Sequence, residues 1–248
     1  MKKLFLLTMI LFCFAKYSFA QQQYKTIIVS KDIEIIKLTE NAFVHISYTT
    51  SPQYGRIGSN GLIFINNGEA VLFDTPMTDS LTKDLVDWIT DSLKVKIVKF
   101  VPNHWHVDCI GGLAYLNSFG IESYANEMTV QTAKSQNLPA IIHGFKDSTT
   151  LFLGDKRIFC EYPGAAHSLD NIVVWIPSEN ILFAGCMVKE IKSNNLGNTA
   201  DGDLKAYPGT ILKVLNKYHK AKFVIPGHGM FGGIELLQHT LDLCSKNN

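Results

Sequence analysis

The chain has 248 residues, of which 46% are hydrophobic, and its formal net charge is +1. A chain of this length can bury one sizeable core, so we expect one domain. No run of consecutive basic residues is longer than two. The small net charge and the short basic runs argue against nucleic acid or an anionic membrane surface as a partner.

The N-terminal segment differs in composition from the rest of the chain. It has a cationic start at Met1 to Lys3, an apolar run from Leu4 to Ala15, and small residues at the two cleavage-determining positions of Ser18-Phe19-Ala20. This pattern predicts a secretory signal peptide over residues 1–20 and a mature domain over residues 21–248. We therefore expect a periplasmic protein without a membrane anchor, and we expect it to be a monomer.

The first half of the mature chain predicts strands followed by a helix. Runs of β-branched and aromatic residues between Gly, Asn and Pro are typical of strands, and large apolar residues at helical spacing predict a helix. The predicted strands are Thr26–Ser30, Ile33–Leu38, Ala42–Tyr48, Asn60–Ile65 and Ala70–Asp74, and the predicted helix is Asp79–Leu93. Asn66-Asn67-Gly68 predicts a hairpin turn between the last two of these strands.

The second half repeats the sequence of strand, loop and helix. We predict strands at Lys96–Val101, Thr150–Leu153, Arg157–Tyr162, Ile172–Ile176, Ile181–Ala184 and Phe223–Ile225, and helices at Gly111–Phe119, Met128–Ser135, Leu204–Tyr218 and Gly233–Ser245. A four-layered αββα sandwich, with helices on both outer faces of two sheets, fits this order of elements. Periodicity alone does not distinguish it from another layered α/β fold.

Four cysteines lie beyond the predicted signal peptide, namely Cys109, Cys160, Cys186 and Cys244. In an oxidising compartment, four cysteines suggest two disulfides. Cys109 and Cys186 lie inside segments rich in metal-binding residues, so a role as thiolate ligand competes with pairing for at least one of them. Cys160 and Cys244 are expected to be small buried hydrophobic residues.

Metal-binding residues appear first at His104, His106 and Asp108, which alternate along the chain directly after the strand Lys96–Val101. Pro102 ends that strand. Two imidazoles and a carboxylate at this spacing suit a loop that leaves a buried strand and binds a divalent metal.

Three further candidate ligands follow predicted strands, and each is flanked by Gly or Ala. Small neighbours allow loop backbones to approach an ion closely. The complete candidate set is His104, His106, Asp108, His167, Cys186 and His228. Six ligands exceed the four of one tetrahedral site, but they suit two adjacent zinc ions.

Five segments resemble those of the class B metallo-β-lactamases, subclass 1, in their order and spacing. They are HWHVD at 104–108, GAAHSLDN at 164–171, FAGCMVK at 183–189, LGN at 196–198 and PGHG at 226–229. The similarity covers nearly the whole mature chain. Cys186 is the most specific of these residues, because related hydrolases of the same fold have an Asp in its place and usually a His where this chain has Cys109.

The resemblance implies a zinc hydrolase that opens the β-lactam ring of penicillins, cephalosporins and carbapenems. His104, His106 and His167 would bind one zinc ion, and Asp108, Cys186 and His228 a second. Asp108 would also orient the nucleophile, Lys189 would bind the substrate carboxylate, and Asn198 would donate to the lactam carbonyl oxygen. Residues 48–60, which are rich in turn formers, would form a mobile flap over the substrate.

Two residues near the motifs leave alternatives open. Cys109 could pack inertly, which we favour, or it could oxidise or compete for metal. Asp74 follows a buried strand and could orient a metal ligand or simply form a turn.

Two other functions are compatible with the candidate ligands. One is a metallo-hydrolase of the same fold that acts on a thioester, lactone or phosphoester. The other is a periplasmic zinc-buffering protein, which requires a site closed to water.

Overall fold

The computed structural model describes residues 24–52 and 55–246. The predicted signal peptide lies outside these residues. The strands are β1 (Thr26–Ser30), β2 (Ile33–Lys37), β3 (Ala42–Ser51), β4 (Gly55–Asn66), β5 (Glu69–Phe73), β6 (Lys96–Val101), β7 (Glu122–Asn126), β8 (His143–Phe145), β9 (Ser148–Leu153), β10 (Lys156–Glu161), β11 (Val173–Ile176), β12 (Ile181–Gly185) and β13 (Phe223–Pro226). The helices are α1 (Asp79–Ser92), α2 (Val107–Ile110), α3 (Leu113–Ser118), α4 (Glu127–Ser135), α5 (Tyr207–Lys217) and α6 (Glu235–Lys246).

The strands form two sheets. The eight-stranded sheet runs in chain order from β1 to β8, antiparallel as far as β5 and parallel from β5 to β8. The five-stranded sheet has the order β13-β12-β11-β10-β9, and only its β12–β13 pair is parallel. Within the part of the chain that the structure describes, no helix is long and apolar enough to cross a bilayer.

Three buried clusters divide the molecule into four layers. Between the sheets, Phe64 and Phe73 of the first sheet pack with Phe183 of the second. Leu85 and Ile89 of α1 pack on the outer face of the eight-stranded sheet. The outer face of the five-stranded sheet is covered by α5 and α6. Ile211 of α5 and Leu237 of α6 belong to the same buried cluster as Leu182 and Val224 of the sheet. The predicted αββα sandwich is therefore confirmed.

The structure corrects several predicted elements. Strands β7 and β8 were not predicted, because Glu-Ser-Tyr-Ala-Asn and His-Gly-Phe lack a run of β-branched residues. The segment 111–119 was predicted as one helix. Its first two residues, Gly111 and Gly112, instead separate the short helices α2 and α3, and a Cβ atom at Gly112 would lie 1.9 Å from Thr82 Oγ1.

The predicted flap is mostly paired strand. β3 and β4 form a long antiparallel hairpin whose register continues to Ser51 and Gly55, well beyond the predicted strand ends at Tyr48 and Asn60. Turn-forming glycines in this segment therefore lie within a strand. This hairpin is called the long hairpin below.

Candidate metal centre

The six candidate ligands come from four segments, each of which follows a strand. The first segment follows β6 and carries His104, His106 and Asp108. The others follow β10, β12 and β13 and carry His167, Cys186 and His228. Because these strands belong to both sheets, the ligands meet at one rim of the sandwich. Asp108 lies in the short helix α2, where a loop was predicted.

The three histidines that the resemblance assigns to one ion lie close together. The centroids of the His104 and His106 rings are 4.5 Å apart, and those rings lie 5.0 Å and 5.3 Å from the His167 ring. The Nε2 atom of His104 is 2.9 Å from the Nδ1 atom of His106. Potential donor atoms lie within 4.8 Å of one another in His104, His106 and Asp108, and also in His104, His167 and Cys186, so His104 belongs to both groups.

Asp108, Cys186 and His228 form a second compact triad. The Cys186 Sγ atom lies 3.4 Å from Asp108 Oδ2 and 3.5 Å from His228 Nε2, and the last two atoms are 3.3 Å apart. Donors bound at about 2.0–2.3 Å in tetrahedral positions lie roughly 3.3–3.7 Å from one another. The spacing and chemistry of this triad therefore fit a zinc ion.

The protonation states of these ligands differ across the centre. Burial lowers the pKa of His104 to about 4 and also lowers the pKa of His167, which keeps both rings in the neutral form that binds metal. Burial raises the pKa of the Cys186 thiol. Burial alone would raise the pKa of Asp108, but the hydrogen bond from His228 and nearby histidine charges outweigh it and lower that pKa.

His228 shows the opposite balance. Burial alone would lower its pKa, but its contacts with Cys186 and with the Asp108 carboxylate raise the pKa well above the ordinary value for histidine. A metal that binds the second triad must therefore displace protons from His228 and Cys186.

Three of the candidate ligand histidines have one ring nitrogen in contact with a residue outside the candidate set. His104 Nδ1 lies 3.2 Å from Cys109 Sγ, and His228 Nδ1 lies 2.9 Å from the Gly58 carbonyl oxygen. His106 Nε2 lies 3.0 Å from a carboxylate oxygen of Asp201. These contacts favour the tautomers that direct Nε2 of His104 and His228, and Nδ1 of His106, to the metal.

Neither Gly58 nor Asp201 belongs to a ligand motif, so their contacts with His228 and His106 could not be predicted from the sequence. Asp201 is 95 residues from His106 in the chain. Its only signal was its position three residues after the LGN segment at 196–198.

Comparison with known proteins identifies the family. No protein-family model matches the chain. A type 2 metallo-β-lactamase of Bacteroides fragilis is 45% identical over 246 residues, which cover 99% of this chain and 97% of that protein. The chain belongs to the metallo-β-lactamases of class B, subclass 1.

Solved structures of metallo-β-lactamases have the same fold. The enzyme from Pontibacter korlensis superposes with a TM-score of 0.83 at 37% identity, covering 86% of this chain and 99% of that one. A mono-zinc form of an enzyme from Pseudomonas aeruginosa superposes with a TM-score of 0.82 at 32% identity, covering 89% of this chain and 99% of that one.

The cysteines of this metallo-β-lactamase are not paired. Cys109, Cys160, Cys186 and Cys244 are all buried and free, so the two-disulfide alternative is wrong. Burial and the nearby carboxylates raise the pKa of Cys109 well above the ordinary thiol value, and its side chain is hydrogen-bonded to Asp74. Cys109 therefore connects Asp74 to the candidate ligand His104 and is more than an inert packing residue.

Asp74 forms a turn and also supports the centre. Its backbone has a positive φ of 54°. Its Oδ1 atom accepts a hydrogen bond of 2.5 Å from the backbone N–H of Asn103, the residue before His104. Asp74 therefore forms a turn and also fixes the backbone beside His104, so each of its two predicted roles describes part of what it does.

The residues predicted to bind substrate lie beside the ligand loops. The Lys189 ammonium donates a 2.7 Å hydrogen bond to the Cys186 carbonyl, and burial lowers the pKa of Lys189. A Cβ atom at Gly197 would lie 3.9 Å from the Lys189 Nζ atom, so the Leu-Gly-Asn segment reaches this lysine. Asn198 is exposed, and its Oδ1 atom accepts from Ala200 N at 3.1 Å, which leaves its NH₂ group available as a donor.

Proposed function

We propose that this chain is a secreted β-lactamase that opens the amide bond of penicillins, cephalosporins and carbapenems and so confers antibiotic resistance. The observation that carries the proposal is the compact Asp108, Cys186 and His228 triad beside three clustered imidazoles. The family relationship supports the reaction class. The substrate range rests on the open site and on the positions of Lys189 and Asn198.

We assign the metal ligands as two sets, with one zinc ion in each. His104, His106 and His167 would hold the first ion, and Asp108, Cys186 and His228 the second. Zinc at the three-imidazole set would supply Lewis-acid activation of water at neutral pH. Asp108 would orient that water through its second carboxylate oxygen.

Two side chains would position the substrate. The Lys189 ammonium would bind the carboxylate that most β-lactams carry, a group that does not react. The NH₂ group of Asn198 would donate to the lactam carbonyl oxygen as negative charge grows there, and one such donor can contribute about 3 kcal/mol to transition-state stabilisation.

Two features argue against a closed zinc-buffering site. The His228 side chain is 45% exposed and the His106 side chain is 16% exposed, so solvent reaches both ligand sets. Buried structural zinc sites are closed by four protein ligands, whereas an exposed set with three leaves room for substrate.

Turnover of nitrocefin and imipenem tests the proposal. We expect purified protein of residues 21–248 to hydrolyse both, and a thioester, a lactone and a phosphodiester to react far more slowly. Faster turnover of any of the last three would favour the other hydrolase function. Retention of zinc without turnover of any ester or amide would favour zinc buffering.

Lys189→Ala is expected to raise KM for carboxylate-bearing lactams more than it lowers kcat, because the carboxylate has a similar charge in ground and transition states. An ion pair in a partly desolvated cleft can contribute roughly 2 kcal/mol, which corresponds to an increase in KM of about 30-fold. Steady-state kinetics with several lactams measures both constants.

Lys192→Ala is the matched control for that variant, since Lys192 is an exposed lysine of the same segment. It should leave KM unchanged. Metal analysis should find the zinc content of both variants equal to that of the parent protein. An unchanged KM in Lys189→Ala would mean that another residue binds the carboxylate.

We propose that residues 1–20 direct secretion and that residues 21–248 form a single domain in the periplasm. The mature protein is expected to begin near Gln21, because Ser18 and Ala20 are small enough for signal-peptidase cleavage. N-terminal sequencing of the periplasmic protein measures this directly. Ala20→Leu should reduce cleavage, and an intact Met1 on the native protein would refute the prediction.

A further inference from the structure

The loop that carries His228 is held by one residue of the long hairpin. The backbone N–H of Asn60 donates to the Gly227 carbonyl at 2.8 Å. Its side-chain NH₂ group donates to the carbonyls of Pro226 at 2.9 Å and Gly229 at 2.7 Å. Asn60 is 3% exposed. Three carbonyl groups around one candidate metal ligand therefore accept from a single buried residue.

The opposite side of the same loop is packed against the centre. A Cβ atom at Gly227 would lie 2.3 Å from Cys186 Sγ, and one at Gly229 would lie 2.3 Å from the Glu190 carboxyl carbon. Glu190 also accepts a hydrogen bond from the Met230 backbone N–H at 3.1 Å. The loop is thus enclosed between the thiol ligand on one side and Asn60 on the other, with little room to shift without breaking contacts.

The long hairpin also fixes the ring of His228. The Nδ1 atom of His228 lies 2.9 Å from the Gly58 carbonyl oxygen, two residues before Asn60 in the same strand. Donation from Nδ1–H leaves Nε2 unprotonated for metal, and Nε2 is the atom that lies near Asp108 and Cys186. The strand β4 therefore controls both the backbone and the side chain of this ligand.

The chemistry of Asn60 indicates which of its groups matters. Its Oδ1 atom is buried and accepts no hydrogen bond from the residues that the structure describes, whereas its NH₂ group makes two. A position that served packing alone would not require an amide, because a buried polar atom without a partner is destabilising. The function of the side chain here is donation to two carbonyls.

We infer that Asn60 is a positioning residue that holds His228 in place for the second metal ion and couples the long hairpin to that ion. The inference rests on the proposed assignment of Asp108, Cys186 and His228 to one metal. A displacement of β4 at Asn60 would break the same hydrogen bonds, so the conformation of the hairpin and the metal affinity of this triad are linked.

Asn60→Asp is the sharpest test, because it keeps the size of the side chain, removes both NH₂ donors and places a carboxylate against two carbonyl oxygens. We expect the affinity of the second triad for Co²⁺ to fall about 10- to 100-fold. A Co²⁺ titration that follows the thiolate-to-cobalt charge-transfer absorption reports this affinity, since Cys186 is the thiolate among the six ligands. The affinity of the three-histidine set, followed by its ligand-field absorption, should stay within about twofold.

Asn66→Asp is the matched control. Asn66 lies in the same strand, and its side-chain NH₂ group also donates twice, to the Leu153 carbonyl at 2.8 Å and to Asp155 Oδ1 at 3.0 Å. This variant should lose thermal stability without a change in the cobalt titration. Asn60→Ala, which removes the donors without adding charge, serves if Asn60→Asp does not fold.

Each outcome of the titration has a distinct meaning. A parental charge-transfer affinity in both Asn60 variants would overturn the inference, as would an equal loss of affinity in Asn66→Asp. A parent protein that binds Co²⁺ without any thiolate band would instead overturn the proposed ligand assignment.

Discussion

Removal of zinc is expected to reduce β-lactam hydrolysis to the background rate and to lower the melting temperature by about 8–16 °C. Six side chains from four segments converge on the centre, and without metal the Asp108 charge and the Cys186 thiol remain buried together. A ligand present at a thousand times its Kd stabilises the folded state by about 4 kcal/mol, and each kcal/mol raises Tm by roughly 2–4 °C in a domain of this size.

Dialysis against a chelator, followed by calorimetry and nitrocefin kinetics, measures both effects. Addition of Zn²⁺ should restore activity and Tm, which controls for irreversible damage. Full turnover by protein shown by metal analysis to contain no zinc would contradict the proposed mechanism.

The same experiment has an expected pH dependence. The pKa values of His228 and Cys186 are both raised, so both side chains carry a proton that metal must displace, and the proton concentration with which the metal competes rises as the pH falls. The difference in Tm between zinc-loaded and zinc-free protein should therefore shrink as the pH is lowered. An equal difference at pH 5 and pH 8 would contradict this prediction.

The fold could be predicted from sequence where hydrophobic patterns are strong. Strand β1 was predicted with its observed bounds, and helix α1 was predicted to within one residue at its end. Strands β7 and β8 could not be predicted, because they are short parallel strands whose existence depends on pairing, of β7 with β6 and of β8 with β7. The length of the long hairpin was missed for a related reason, since pairing across the sheet outweighs the turn preference of Gly55 and Gly58.

The candidate ligands could be predicted because His, Asp and Cys side chains, which are able to bind metal, follow strands and have small neighbours. The residues that support them could not be predicted, because Asn60 contacts residues of the His228 loop that lie 166 and 169 positions further along the chain. A single asparagine has no sequence signal for such a contact. Only the three-dimensional pairing of β4 with its neighbours brings Asn60 to the loop after β13.

The largest effect of a single substitution is expected for Cys186→Ser. A hydroxyl is a much poorer zinc ligand than a thiolate, so the second ion should bind at least about 100-fold more weakly, while the three-histidine set keeps its ion. If the second ion is required for turnover, kcat/KM should fall steeply at low zinc and recover in part when zinc is raised. Metal analysis after dialysis and kinetics at several zinc concentrations measure these two effects.

Cys160→Ser is the matched control for Cys186→Ser. Cys160 is a free, fully buried cysteine between the two sheets, and burial raises the pKa of its thiol to about 12. Its replacement buries a hydroxyl in an apolar core and should lower Tm without changing the zinc content. Loss of zinc in Cys186→Ser but not in Cys160→Ser would therefore reflect a lost ligand and not a weakened fold. Two tightly held zinc ions in Cys186→Ser would show that the thiol is not a ligand, because the remaining donors of its triad, Asp108 and His228, would then hold the second ion without it.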